Sequence, residues 1–218
     1  MAAALTLIDR TGSDEAVTLR AVAREVGIAA PSIYSHFADR DEIVLAVVAR
    51  LFDELTSVLK SGADSAGNVG AGNIGAGNDT AGEVAVSRLV AGCEAYVEWG
   101  LQNPARYAVL FASRWAEADR AAEYCEPVQI GAGGPAVPEF GAEAFLQLVD
   151  AIAACVRAGV SASTDVVADG TAVWVALHGA VMLRSALPGF PWPEPVSAFV
   201  RQLVLTLAKV TSPELPAS

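Results

Sequence analysis

Few side chains in this sequence could carry covalent or metal chemistry. The histidines are His36 and His178 alone, and the cysteines are Cys93, Cys125 and Cys155, with no C-x-x-C pair. A structural zinc site needs several soft ligands at short spacings, which this pattern does not supply. A Ser-His or Cys-His nucleophile pair would have to draw on the same two histidines, and no nucleophile-elbow pattern surrounds any Ser or Cys. GAGNIG at 70–75 has the lettering of a dinucleotide loop, but no strand leads into it and no helix opens on it. Asn78-Asp79-Thr80 reads as a glycosylation sequon without a secretory context. These residues predict no enzyme, no metal site and no cofactor.

The elements that such side chains sit on are helical. The chain has 218 residues, 53% hydrophobic and 18% charged, enough apolar material for one large domain or two modest ones. Its formal net charge of −11 argues, as a bulk quantity, against nucleic acid and anionic membranes. MAAALTLIDRTG lacks a basic n-region, and the longest uncharged apolar run, Thr171 to Leu183, falls short of the ~18 residues of a membrane span. The reading is a soluble, cytoplasmic protein that meets no membrane.

Apolar residues recur at helical spacing, with no alternating stretches bounded by hairpin turns, so an all-α fold is predicted. Ile43, Val44, Val47, Leu51, Leu55, Val58 and Leu59 form one stripe of a helix that Asp39 can cap. That helix is expected to stop near 61, where AGNVG, AGNIG, AGNDT and AGEVA repeat every five residues. Seven of the 19 glycines fall in 61–82, which reads as a flexible loop. Further helices are expected over Glu83 to Leu101, Pro104 to Ala122, Pro138 to Ala158, Thr164 to Ala186 and Glu194 to Lys209, with EPVQIGAGGPAVPEF as a loop and LPGFPWPEP as an interhelical elbow.

The most informative stretch runs from Val17 to Val44. Leu19, Val22, Ala23 and Val26 give a short helix an apolar face, Thr18 can cap it, and Gly27 can end it in a left-handed turn. A second short helix, Ala30 to Phe37, would carry Pro31 in its first turn and Ile33 and Phe37 inward. Two helices around a tight glycine turn make a helix-turn-helix, whose second helix can enter the DNA major groove. A first helix, Ala2 to Asp9, would place Leu5 and Ile8 inward.

Over this stretch the sequence resembles the TetR/AcrR family of transcriptional regulators: Thr18-Leu19-Arg20, Ala23, Gly27, Ile33-Tyr34, His36-Phe37 and the acidic helix start that follows. Trp174 and His178-Gly179 are similar to the W-x-x-x-H-G signature of one ligand-domain subgroup, supported by NPARYAVLF at 103–111. The resemblance implies a DNA-binding domain at 1–46 whose first helix is short, a helical ligand-binding and dimerisation domain at 47–210, a tail at 211–218, and a homodimer formed through the last two helices. It also implies phosphate contacts by Thr18, Tyr34, His36 and Arg40. Relatives often have Lys where Ala30 stands.

Base reading would fall to the exposed positions Ala29, Ala30, Pro31, Ser32 and Ser35. Serine hydroxyls can hydrogen-bond many base edges, whereas Ala and Pro offer only apolar contact, for example with a thymine methyl. With no Arg, Asn or Gln on this helix, specificity should lean on DNA shape and dimer spacing. Candidates for an effector site are Tyr96, Trp99, Tyr107, Phe111, Trp115, Phe145 and Trp174, pointing to a small hydrophobic or aromatic molecule. Arg106 and Arg114 could pair an acidic effector, although salt-bridged arginines are commoner.

The expected function is a ligand-responsive regulator, a repressor by resemblance, released from a pseudo-palindromic DNA operator by its effector. The alternative is a helical small-molecule-binding dimer with weakened or lost DNA binding. The charge does not decide against DNA. Residues 1–60 hold six basic and nine acidic side chains, whereas Thr18 to Arg40 hold three basic and two acidic. A locally neutral reading head on an acidic body predicts a shallow salt dependence.

Overall fold

The computed structural model describes residues 1–72, 81–112, 127–129 and 136–211. Among them the chain is all-α apart from one small ribbon. The helices are α1 (Ala2–Thr11), α2 (Leu19–Val26), α3 (Ala30–Ile33), α4 (Arg40–Gly72), α5 (Ala81–Gln102), α6 (Pro104–Ala112), α7 (Glu139–Arg157), α8 (Val166–Ala186) and α9 (Val196–Leu207). Strands β1 (Pro127–Gln129) and β2 (Ala136–Pro138) pair antiparallel, Val128 opposite Val137, inside the stretch expected to be loop. The expected continuation of α6 to Ala122 lies outside the described residues.

Two compact units result. The first takes Met1–Glu54 and Gln102–Gly141, the second Leu55–Leu101 and Ala142–Ser218. In the first, α1 runs through Thr11, beyond the expected Asp9, and ends at Gly12 in the left-handed region with φ 75°. It buries Ala4, Leu7 and Ile8, with Leu5 only half-buried, so Leu7 takes the inward place expected of Leu5. Val17, Leu19, Val22, Ile33, Ile43, Val44, Val47, Leu51 and Tyr107 complete its core. Gly141, at φ 84°, lies where a Cβ would sit 2.7 Å from Phe52 Cε1, so only glycine fits both the conformation and the space.

The second unit corrects the expected loop at 61–82. Helix α4 continues to Gly72 and α5 begins at Ala81, leaving only 73–80 outside the described residues. Glycine costs helix stability when exposed, but here it allows two antiparallel helices to touch. A Cβ on Gly62 would lie 2.9 Å from Ala95 Cβ and 3.0 Å from the Ala91 carbonyl oxygen. Gly92 faces the Leu59 carbonyl and Ala63, and Arg88 donates to Asp64 at 2.6 Å. Interhelical packing offsets the propensity penalty, a tertiary gain that composition does not reveal.

Helix α8 starts two residues into the expected span, with Asp165 accepting from Val167 N and Ala168 N. The elbow after it is held from within: Arg184 donates to Glu194 and to the Pro193 carbonyl and lies over the Trp192 ring at 5.3 Å, while Trp192 Nε1 donates to the Leu187 carbonyl. These contacts make LPGFPWPEP an elbow rather than a free polyproline strand. The chain after α9 is stapled to the α7–α8 connection by Ala162 N to Lys209 O and Thr211 N to Val160 O, and Lys209 pairs with Asp169 at 2.9 Å. Helix α8 is long and apolar enough to cross a membrane by length and composition alone, with 28% of its most apolar window buried. Burial raises the thiol pKa of Cys93, beside Glu94, to about 12 and that of Cys155 to about 11, so both stay protonated and unreactive at neutral pH.

Replacing Gly62 by Val should overpack the α4–α5 seam. The expected loss is about 1–3 kcal/mol of unfolding free energy in urea titration, with helical circular dichroism retained in the absence of urea; full stability would mean that the two helices do not approach this closely.

Candidate nucleic-acid interface

Short helices need their ends fixed, and the Val17–Val44 stretch fixes each one locally. Thr18 adopts extended backbone and its Oγ1 accepts from Ala21 N at 3.1 Å. Gly27 ends α2 at φ 78°, ψ 26°, and the following Ile28 N donates to the Ala23 carbonyl at 3.0 Å. No neighbouring atom crowds a Cβ there, so conformation rather than space requires the glycine. Ahead of α4, Asp39 Oδ1 accepts from Glu42 N at 2.9 Å while Glu42 Oε2 reaches back to Ala38 N at 2.6 Å, a reciprocal cap of the kind expected from Asp39.

Helix α3 is shorter than expected. It spans Ala30–Ile33, no side chain caps its start, and residues 34–36 form turns closed by His36 N and Phe37 N onto the Ile33 carbonyl. The Ser35 hydroxyl donates to the Ser32 carbonyl at 2.8 Å, local bonding of the kind by which serine competes with regular helix. Ile33 is buried and anchors the segment. Ala29, Pro31, Ser32, Tyr34, Ser35 and His36 are exposed and Ala30 is half-buried. Tyr34 presents its ring to solvent with 55% exposure. The structure therefore places Ala29 to His36 on one short segment, while Thr18 is exposed at the start of the separate helix α2.

Arg40 stands apart from them. Its Nη2 donates to the Asp14 carbonyl at 2.6 Å and to Asp14 Oδ2 at 3.0 Å, and its Nη1 lies 3.6 Å from Asp41. It ties the start of α4 to the 3-10 turn Asp14–Ala16 that links α1 to α2. Arg20, named above only within the family resemblance, and Arg24, not named there, are exposed on α2 and form no ion pair among the described residues. The signal available was the near absence of carboxylates around them: Glu25 is the only one between Ala16 and Ala38.

Behind the helix-turn-helix lies Arg106 of α6. Its Nε and Nη2 donate to the two oxygens of Asp9 on α1, both at 2.8 Å, and its Nη1 donates to Glu54 on α4 at 3.1 Å. Bidentate charge-assisted bonding of this kind orients both partners. Arg106 is thus committed inside the protein rather than held ready for an acidic effector. The hydrogen bond from Arg106, aided by its charge, holds the Asp9 carboxyl below the usual range despite partial burial.

The effector candidates fall in both units. In the first, buried Tyr107 meets Phe111 with ring centroids 4.7 Å apart, and Phe52 meets Phe111 edge-on at 6.0 Å. In the second, Tyr96 and Trp99 are buried in α5, and half-buried Phe145 meets Trp174 edge-on at 6.2 Å. Trp174 is 38% exposed and its ring lies 6.3 Å from that of His178, whose pKa burial lowers. Trp115 and Arg114 lie outside the described residues.

Two family models match the chain. The one described as bacterial regulatory proteins, tetR family, covers residues 1–47, and the one described as tetracyclin repressor-like, C-terminal domain, covers 89–207. No curated protein matches the chain. Solved structures of similar fold include a protein of unknown function from Rhodococcus sp. RHA1, 19% identical, with a TM-score of 0.66 over 95% of this chain and 88% of that one. A bacterial regulatory protein in the tetR family from Rhodococcus RHA1 is 18% identical, with a TM-score of 0.60 over 97% and 95%. The TetR family transcriptional regulator PfmR from Thermus thermophilus is 18% identical, with a TM-score of 0.56 over 94% and 95%.

A carboxyl whose folded pKa is depressed stabilises the fold above its unfolded pKa, about 3.9 for Asp, and loses that contribution as pH falls through the folded value. Wild type should therefore exceed Asp9→Asn in thermal stability at pH 7, with the gap closing on acidification below about pH 4; a gap independent of pH would remove Arg106–Asp9 as its source.

Proposed function

This chain belongs to the TetR family of bacterial regulatory proteins, and we propose from that premise that it is a homodimeric repressor released from a pseudo-palindromic operator by a small hydrophobic or aromatic effector. The observation that carries the DNA-binding part is the exposed segment Ala29 to His36. Its apolar anchor, Ile33, points inward, and Pro31, Ser32, Tyr34, Ser35 and His36 are left open to solvent. Hydroxyls and a phenol at these positions suit phosphate and base-edge hydrogen bonds, with Ala29, Ala30 and Pro31 supplying apolar contact. Thr18 adds a hydroxyl at the start of α2.

The aromatic character of Tyr96, Trp99, Tyr107, Phe111, Phe145 and Trp174 supports an effector that packs through rings and apolar surface. Release requires that the effector bind one arrangement of the dimer better than the other. A cytoplasmic location follows from that role, since both DNA and effector must be reached.

Dimerisation is assigned to α8 and α9. Trp174, Val175, Met182 and Leu183 of α8 stay exposed, more apolar surface than a lone soluble helix leaves open. In the midst of them, Gly179 has nothing within 4 Å of where a Cβ would be. A small residue amid exposed apolar neighbours fits the close approach of a second copy across a two-fold axis.

Two measurements test the reading. Tyr34→Ala combined with Ser32→Ala should weaken binding to a duplex selected by the protein from a random pool at least tenfold, with circular dichroism unchanged; undiminished binding would remove this segment as the reading head. Gly179→Leu, sterically free within one chain, should convert a dimer to a monomer in sedimentation velocity, and a persisting dimer would place the interface elsewhere.

A further inference from the structure

The cations of the first unit divide into those already neutralised and those that are not. Arg106 is committed to Asp9 and Glu54, and Arg40 to Asp14 and Asp41. Arg10 of α1 reaches Glu25 of α2 at 3.4 Å. Arg50, exposed on α4, is likewise unpaired but lies outside the helix-turn-helix; within that motif and among the described residues, Arg20 and Arg24 have no ion pair and no hydrogen-bond acceptor, and both are exposed. Helical geometry places them together. At about 100° per residue they lie within roughly 40° of one another, and Glu25 sits roughly 100–140° away around α2. Glu25 is held from the α1 side by Arg10, so the flank bearing Arg20 and Arg24 has no carboxylate of its own helix to offset it. From Gly27 through Ala38 the following turn and α3 contain no acidic residue at all.

We propose that Arg20 and Arg24 are the phosphate-contacting cations of this protein and supply nearly all of the ionic part of its attraction to DNA. This inference rests on the DNA-binding reading above and deepens it: hydroxyls and apolar groups on the short helix touch bases, while two guanidiniums on the preceding helix hold the backbone. Arg40 acts as a positioning residue that fixes the start of α4 against the α1–α2 link. The division follows from competition. An arginine bound by a nearby carboxylate gives up little on meeting a phosphate, because the charge it would neutralise there is already compensated. A solvated, unpaired arginine releases the phosphate's condensed counterion on contact.

The test is the salt dependence of binding, read by fluorescence anisotropy with a duplex of about 30 base pairs selected by the protein, long enough for two half-sites a helical turn or two apart, and with an unselected random duplex. Each neutralised phosphate contributes about 0.9 to the slope of log affinity against log salt, so Arg20→Gln with Arg24→Gln should flatten the slope by about 3.6 per dimer. Between about 50 and 200 mM salt the double variant should accordingly lose on the order of 100-fold less affinity than wild type. Arg20→Lys with Arg24→Lys should keep the wild-type slope, because phosphate contact needs charge rather than a guanidinium fork. Arg50→Gln, on an exposed arginine of α4, should leave it unchanged. Thermal melting checks that every variant is folded.

A wild-type slope in the Gln double variant overturns the assignment, as does an equal flattening by Arg40→Gln. Failure of wild type to bind either duplex removes the DNA-binding reading itself, and this inference with it. Tight wild-type binding with an unaltered slope in the Gln double variant removes the inference alone.

Discussion

A helix of four residues cannot hold its own shape, because nucleation fixes several backbone dihedrals before hydrogen bonds repay their entropy. Helix α3 is such a helix, so its geometry is imposed from outside. The left-handed turn at Gly27 delivers the chain to it at a fixed angle, and Ile33 pins it to the core. The paired Asp39–Glu42 cap then takes the chain away into α4. Behind these, Arg106 joins α1, α4 and α6 through two carboxylates. The segment that presents Ser32 and Tyr34 is therefore as well defined as the frame around it, and no better. A change in the frame reaches these exposed positions without touching them.

An acidic chain that meets a polyanion must manage its own charge. Internal pairing does so here by binding cations where order is needed and leaving others in water. Arg40 and Arg106 act as struts whose charge is already compensated, and between Ala16 and Ala38 the one carboxylate is Glu25, which Arg10 answers. Net charge describes the body of the molecule, whereas binding depends on a local patch of it. At physiological salt, screening over about 8 Å lets the two differ in sign.

What the sequence made legible was local. Thr18 as a cap, Gly27 as a helix end and Asp39 as the start of α4 each act on residues a few positions away, so their types and spacing suffice. What it concealed was set by partners distant in the chain. Asp9 and Arg106 are 97 residues apart, and nothing in either neighbourhood announces the other. The glycines of the five-residue repeat read as breakers because their propensity is local, while the contacts of Gly62 with Ala91 and Ala95 that outweigh it are tertiary. Leu7 displaced Leu5 from the core for a related reason: a short helix such as α1 can rotate to suit its neighbours, and pattern alone leaves that rotation open. Among the aromatic residues, type indicated pocket or core without separating them.

The seam between α4 and α5 also bears on how this gene can change. Tandem repeats gain and lose copies by replication slippage, here in units of five codons. One added unit inside a packed helix would turn every later residue by roughly 140° and advance it about 7.5 Å, scrambling each contact beyond it. Because α4 and α5 run antiparallel, with Gly62 opposite Ala91 and Ala95 and Gly67 opposite Arg88, a unit gained past Gly67 leaves those pairings in register. Copy number can then drift beyond Gly67 while the paired stretch of the two helices is inherited intact.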